Sequence, residues 1–132
     1  MSGSKSNRTL SILLVDDNAS MLKIVRDILV KQLNASVDLA NTGGVALSKL
    51  KEGCYDLMIT DLLMPDMDGE SLIRSVRSGQ ATKAEKMATM PIIILSAGTY
   101  VQEPTQLNVY FASKVNLENL PGYIDYILSE DD

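Results

Sequence analysis

The 132-residue sequence contains no histidine and has a single cysteine, Cys54. Without histidine the chain cannot use Ser-His-Asp or Cys-His catalysis, bind zinc through imidazole or carry a phosphohistidine of its own. One cysteine excludes an internal disulfide and is typical of a reducing compartment, so we expect a cytoplasmic location.

Long apolar runs and basic clusters are missing as well. No segment approaches the roughly 18 apolar residues of a membrane-spanning helix, so we expect no direct contact with a membrane. The net charge of −5 argues against binding to nucleic acid or to an anionic surface. Nucleotide binding has no support either, because the phosphate-binding motif G-x-x-x-x-G-K-[ST] does not occur.

Hydrophobic residues form 45% of the chain, which is enough for the core of one domain. Residues 1–8 are polar and lack the apolar stretch of a secretion signal, so we expect a flexible tail there. The predicted domain covers residues 9–129, and residues 130–132 are expected to form an acidic tail.

Five strand-like segments alternate with helical patterns along this domain. The predicted strands are Leu10–Val15, Ser36–Ala40, 56–61, Pro91–Leu95 and Val109–Ser113. The predicted helices cover residues 19–33, a segment from the Asn41-Thr42 cap through Lys51, Gly69–Arg77 and Leu120–Leu128. The second helix is expected to bury Val45, Ala46, Leu47 and Leu50. This alternation, with several strands apolar throughout, predicts an α/β fold with a five-stranded parallel sheet and helices on both faces.

Polar side chains stand at four of the predicted strand ends. Asp16 and Asp17 follow the first strand, and Asp61 ends the third. The fourth and fifth strands are followed by Ser96 and Lys114. Because the carboxyl ends of parallel strands meet at one edge of the sheet, we expect these five side chains to converge there.

Three carboxylates in one place require a compensating charge. Two like charges about 4 Å apart repel by roughly 4 kcal/mol at an effective dielectric of about 20, so we expect a bound cation. Oxygen-only ligands favour Mg²⁺ or Mn²⁺ over zinc. The hydroxyl of Ser96 and the ammonium of Lys114 suit phosphoryl oxygens. Together these groups indicate acyl-phosphate chemistry, with Asp61 as the nucleophile.

Three motifs, "ILLVDDN", "YDLMITDLLMPDMDG" and "PIIILSA", precede the lysine that follows "VYFAS". In order and spacing they resemble the response-regulator receiver domains of two-component signalling. The resemblance implies the flavodoxin-like strand order 2-1-3-4-5. It also implies a phosphoacceptor domain of a His-Asp phosphorelay, whose partner is a histidine kinase or a histidine phosphotransfer protein. Such a domain switches partner interactions and is not an enzyme beyond its own phosphorylation and dephosphorylation.

The resemblance further implies roles for single residues, with Asp61 as the phosphoacceptor. The implied Mg²⁺ ligands are Asp17 directly, Asp16 mostly through water, Asp61 and the backbone carbonyl of Leu63. Three side chains would respond to the phosphoryl group: Ser96 as the switch hydroxyl, Lys114 as the phosphate-binding lysine and Phe111 as the switch aromatic.

Departures from the family pattern lead to further expectations. Receivers usually have proline after the lysine, often with a cis bond, whereas Val115 stands here and a trans bond is expected. The 97–115 region is shorter than usual and contains Gly98 and Pro104. We therefore expect a shortened or irregular fourth helix, and a monomer instead of a helix-mediated dimer. The long 78–90 segment is similar to receivers attached to sensor kinases, including hybrid kinases.

Two other functions stay open on these residues. The altered 97–115 region is compatible with a receiver-like interaction module that works without phosphorylation. A Mg²⁺-dependent phosphohydrolase would also use the carboxylates, although Leu63 stands where its second catalytic acid is expected. The Asp16-Asp17 pair alone could cap a helix, and Asp66 is interpreted as an ordinary turn residue.

Overall fold

The computed structural model describes residues 9–61, 66, 69–78, 89–96 and 108–129. Five strands lie in this part of the chain: β1 (Ser11–Val15), β2 (Ser36–Ala40), β3 (Leu57–Thr60), β4 (Ile92–Ser96) and β5 (Val109–Ser113). The α-helices of the same part are α1 (Ala19–Leu33), α2 (Gly43–Glu52), α3 (Gly69–Arg77) and α4 (Leu120–Ser129), and a 3-10 helix, Lys114–Asn119, directly precedes α4. None of these helices has the length and apolar character needed to cross a membrane. The predicted tails, 1–8 and 130–132, and the region of the predicted irregular helix, 97–107, lie outside the described residues.

The five strands form one parallel sheet in the order β2-β1-β3-β4-β5. This confirms the predicted α/β fold and its flavodoxin-like strand order. The chain begins inside the sheet at β1, adds β2 on one side, and then continues through β3 to β5 on the other. The direction of winding therefore reverses beside β1, and in such sheets the crevice at the carboxyl ends of the strands is where ligands bind.

Side chains alternate across the sheet and divide the core into two layers. On one face Leu13 and Val15 of β1 pack with Leu50 of α2 and Leu72 of α3. On the other face β1 packs against residues of α1 and α4: Leu22, Val25, Leu29, Ile124 and Ile127. Burial of each large aliphatic side chain contributes about 1.5–3 kcal/mol, and a slip of one residue would exchange the two faces. The apolar pattern therefore fixes the register of the central strands.

Polar residues set the ends of the first two helices. The side chain of Asn18 accepts a hydrogen bond from the N–H of Met21 at 3.1 Å and begins α1. Asn34 ends this helix with φ 54°, a left-handed conformation that asparagine adopts more readily than most residues. The hydroxyl of Thr42 accepts from the N–H of Val45 at 3.1 Å, which confirms one of the two predicted caps of α2.

One predicted burial is wrong. Val45 was expected on the inner side of α2, but it is 39% exposed, whereas Ala46 and Leu50 are fully buried. Successive helical residues are turned by about 100°, so the inner stripe that runs through Ala46 and Leu50 leaves Val45 at its solvent side.

Candidate functional site

Strand pairing places two of the predicted site residues side by side. Val15 at the end of β1 is paired with Thr60 at the end of β3, so Asp16 and Asp61 leave the sheet together. The N–H of Asp61 donates to the carbonyl of Val15 at 3.0 Å, which continues the strand pairing by one residue. The backbone that carries Asp61 is therefore held by the sheet itself.

Asp16, Asp17 and Asp61 form the acidic cluster that the sequence predicts. One carboxylate oxygen of each residue lies within 4.8 Å of the others. Asp16 is buried, Asp61 is half-buried and Asp17 is exposed, so the cluster is open to solvent on the side of Asp17. The Oδ1 atom of Asp16 also accepts a hydrogen bond from the N–H of Asn18 at 2.9 Å, which fixes its direction.

Lys114 reaches this cluster from the end of β5. Its Nζ lies 3.1 Å from Asp16 Oδ2 and 3.6 Å from Asp61 Oδ1. The ammonium therefore lies between two carboxylates that come from different strands. A cation in this place lowers the repulsion between them, and it is within reach of a group attached to Asp61.

The turn that carries Lys114 has a polar cap. Ser113 ends β5, and its hydroxyl accepts a hydrogen bond from the N–H of Val115 at 3.0 Å at the start of the 3-10 helix. All peptide bonds in the described part of the chain are trans, which confirms the expectation for the Lys114–Val115 bond. Proline at position 115 would lack the N–H that Ser113 accepts, so this hydrogen bond requires another residue there.

Two of the other predicted site residues, Ser96 and Phe111, lie in the described part of the chain. Ser96 ends β4 and is paired with Ser113, so it lies on the same edge of the sheet, where it is partly buried. Phe111 lies within β5, is partly buried and packs against the core layer that α2 and α3 cover. Leu63, whose carbonyl was expected to bind the metal, lies outside the described residues.

Asp66 has a role that the sequence did not indicate. Its carboxylate accepts hydrogen bonds from the N–H groups of Gly43 at 2.9 Å and Gly44 at 2.8 Å, at the start of α2. The residues are 23 and 22 positions apart in the chain, so no local pattern could reveal the contact. The one available signal was the Gly43-Gly44 pair itself, which leaves the N–H groups of a helix start open to an acceptor.

The donor chemistry of the cluster suits a hard divalent cation. Three carboxylates face one ammonium among the described residues, which leaves negative charge in excess. Carboxylate oxygens are the ligands that Mg²⁺ and Mn²⁺ prefer, whereas zinc sites use imidazole or thiolate. The three aspartates, together with a carbonyl or water, therefore fit such an ion.

The sequence model of the response regulator receiver domain matches residues 12–113 of this chain. The gliding motility regulatory protein of Myxococcus xanthus is 40% identical over 90 residues, which cover 68% of this chain and 11% of that protein. The chemotaxis protein CheY-3 of Vibrio cholerae is 32% identical over 91 residues, which cover 69% of this chain and 66% of that protein. The matched region thus spans less than two thirds of either relative.

A solved structure shares the fold over nearly its whole length. The receiver domain of a sensor histidine kinase from Pseudomonas aeruginosa superposes with a TM-score of 0.77 at 24% identity, covering 92% of this chain and 99% of that one. A magnesium ion is coordinated in the active-site cleft of that structure. The likeness confirms the fold that the strand pattern and the sheet order describe.

Proposed function

Because this chain belongs to the response regulator receiver domain family of two-component systems, we propose that it is a phosphoacceptor that takes a phosphoryl group onto Asp61. The donor would be a phosphohistidine on a histidine kinase or on a phosphotransfer protein. Phosphorylation would then change which partner the domain binds. The single observation that carries the proposal is the contact of Lys114 with Asp16 and Asp61 beside Asp17.

A divalent cation, Mg²⁺ or Mn²⁺, would be held by Asp16, Asp17, Asp61 and the backbone carbonyl of Leu63. When bound, it would neutralise the excess negative charge and so let a phosphoryl group approach the cluster. The magnesium ion in the cleft of the Pseudomonas aeruginosa receiver supports this assignment. The all-oxygen donor set of the three aspartates supports it independently.

In the transfer step a carboxylate oxygen of Asp61 attacks phosphorus. The new O–P bond forms as the N–P bond to the donor histidine breaks, and the histidine leaves as a neutral imidazole because its other nitrogen carries the proton. Asp61 must be ionised to act as this nucleophile, and Lys114, 3.6 Å from its Oδ1, favours the charged form.

After transfer, side chains of this chain would hold the acyl phosphate. Lys114 already lies between Asp16 and Asp61, so a phosphoryl oxygen on Asp61 would compete with Asp16 for its ammonium. Ser96, partly buried at the end of β4, would donate its hydroxyl to another phosphoryl oxygen. Phe111, which lies in β5 and packs against the core, would transmit the conformational change to the surface that binds the partner. Loss of the Lys114–Asp16 contact is therefore the proposed first response to phosphorylation.

Incubation with Mg²⁺ and acetyl phosphate tests the proposal, with Asp61→Asn as the control. We expect wild type to gain up to one acid-labile phosphoryl group per chain, and the variant to gain none. Steady release of inorganic phosphate from a phosphate monoester such as p-nitrophenyl phosphate would contradict the proposal in favour of a phosphohydrolase. Complete absence of labelling in wild type would contradict it in favour of a module that works without phosphorylation.

A further inference from the structure

A buried hydroxyl lies directly before the proposed phosphoacceptor. Thr60 is the last residue of β3, and its side chain is fully buried. Its Oγ1 donates a hydrogen bond to the backbone carbonyl of Asp61 at 2.9 Å. A buried hydroxyl without a partner would cost free energy, so this hydrogen bond is part of what makes threonine tolerable at this position.

The neighbours of Thr60 in the sheet are apolar. Strand pairing aligns it with Val15 of β1 and Ile94 of β4, and both belong to the core layer that α2 and α3 cover. The same row ends in Ala40 on β2 and Phe111 on β5. Valine has nearly the same shape as threonine, is also favoured in strands and would bury no polar group. Packing alone therefore does not account for a hydroxyl in this row.

The backbone of Asp61 is held on both sides of its Cα. Its N–H donates to the carbonyl of Val15 at 3.0 Å, and its own carbonyl accepts from the hydroxyl of Thr60. The first hydrogen bond restrains rotation about φ and the second restrains rotation about ψ, so together they set the direction in which the side chain leaves the backbone. The carboxylate then lies with its Oδ1 3.6 Å from Lys114 Nζ.

We propose that Thr60 is a positioning residue for Asp61, because its hydroxyl holds the backbone of the nucleophile in place. The inference rests on the proposed function, in which a carboxylate oxygen of Asp61 attacks phosphorus. Phosphoryl transfer needs the attacking and leaving oxygen or nitrogen atoms roughly in line. A nucleophile that is already held in this geometry loses less conformational freedom on the way to the transition state. Thr60 therefore speeds the transfer without touching the phosphoryl donor.

The rate of labelling by acetyl phosphate, at a Mg²⁺ concentration above which the rate no longer rises, separates this role from packing. Thr60→Val removes the hydroxyl and fills the same space. It should unfold near the wild-type urea concentration but take up label about tenfold more slowly, a part of the roughly hundredfold that a misplacement of about 1 Å can cost. Thr60→Ser keeps the hydroxyl and loses a methyl group from the core. It should unfold at lower urea concentration and keep close to the wild-type rate.

A matched control comes from the neighbouring position in the same row. Ile94→Val removes one methylene beside Thr60 and no hydrogen bond, so it should lower stability and leave the labelling rate unchanged. The order of the variants by rate should thus differ from their order by stability, which a purely structural role of Thr60 would not produce.

Each outcome decides between the two roles. Equal labelling rates in wild type and Thr60→Val would overturn the inference, and so would a rate that simply falls with stability in all three variants. If Thr60→Val does not fold, Thr60→Ala and Thr60→Ser form a second pair that differs only in the hydroxyl, and equal rates in that pair overturn the inference. A wild type that takes no label refutes the proposed function itself and the inference with it.

Discussion

Lys114 Nζ lies 3.1 Å from Asp16 Oδ2, and the two side chains are only 14% and 4% exposed. Asp16 therefore holds its charge in a place that water hardly reaches, with Lys114 as a close counter-charge. Removing one partner of such a pair leaves the other without compensation, which costs more than the pair itself contributes. The pair also means that a cation entering the cluster meets a positive charge already in place.

Lys114→Ala should therefore have two opposite effects. The metal-free domain should lose about 1–3 kcal/mol of unfolding free energy, because Asp16 stays buried without its partner. Affinity for Mg²⁺ should rise several-fold, since the nearby positive charge is gone. Urea unfolding and calorimetry measure the two effects, and Lys51→Ala, at an exposed site on α2, is the control for a lost lysine. Weaker Mg²⁺ binding in Lys114→Ala would contradict the claim that the positive charge of Lys114 opposes binding of the cation.

The two neighbouring aspartates should differ as metal ligands. Both oxygens of Asp16 already have partners, the N–H of Asn18 and the ammonium of Lys114, whereas Asp17 is exposed beside them. Asp17→Asn should thus weaken Mg²⁺ binding by about tenfold or more, a change of about 1.4 kcal/mol or more, and Asp16→Asn should weaken it less. Titration of both variants with Mg²⁺ gives the order directly, and the reverse order would show that Asp16 is the main ligand.

The negative charge of Asp61 should destabilise the metal-free domain through repulsion by the neighbouring carboxylates. Its carboxylate lies within 4.8 Å of those of Asp16 and Asp17, and within the described part of the chain the ammonium of Lys114 balances only part of their charge. Asp61→Asn should therefore stabilise the metal-free domain by about 1 kcal/mol, and high salt should reduce the gain. Urea unfolding in the presence of a chelator measures this difference. A variant less stable than wild type would mean that Lys114 already compensates the cluster.

Tyr55 predicts a pH dependence of stability. Burial, with the hydrogen bond to Asp38 at 2.6 Å, raises the pKa of Tyr55 above its ordinary value. The unfolded chain ionises this residue at about pH 10 while the folded chain keeps the proton. The contribution of Tyr55 to the free energy of unfolding is therefore complete below about pH 10 and is lost as the pH rises above that value. Tyr55→Phe should cost about 1 kcal/mol near neutral pH and lose less stability above about pH 10 than wild type.

Unfolding free energies measured across this pH range test the assignment. Tyr126→Phe is the control, because Tyr126 is 61% exposed and its ring is not buried in the core. If Tyr55→Phe and wild type lose stability in parallel above pH 10, the phenol of Tyr55 does not contribute to the pH dependence.

Much of the fold could be predicted because its determinants are local. The helical period of residues 19–33 and the end signal at Asn34 give α1 with the observed bounds. Apolar runs that end in polar residues predict where β1 and β3 stop, and parallel pairing then brings Asp16 and Asp61 together. The position of the acidic cluster follows from strand ends alone, so no contact had to be known in advance.

The missed features depend on contacts between distant residues. Asp66 reads as a turn residue in the sequence, and only the placement of this residue beside the start of α2 gives it two N–H donors. The exposure of Val45 depends on how α2 is rotated against the sheet, which the three adjacent apolar residues Val45, Ala46 and Leu47 leave open. The hydrogen bond from the N–H of Val115 to the Ser113 hydroxyl likewise depends on the conformation of the turn after β5, which the sequence pattern does not specify.

The central claim is that Asp61 carries the phosphoryl group, and locating the modified residue tests it most directly. After reaction with acetyl phosphate and Mg²⁺, borohydride reduction converts an aspartyl phosphate to homoserine, which peptide mass spectrometry can place in the sequence. We predict homoserine at position 61 in the wild type and unmodified aspartate at positions 16, 17 and 66. Conversion at any of those three positions, or no conversion at 61, would contradict the account.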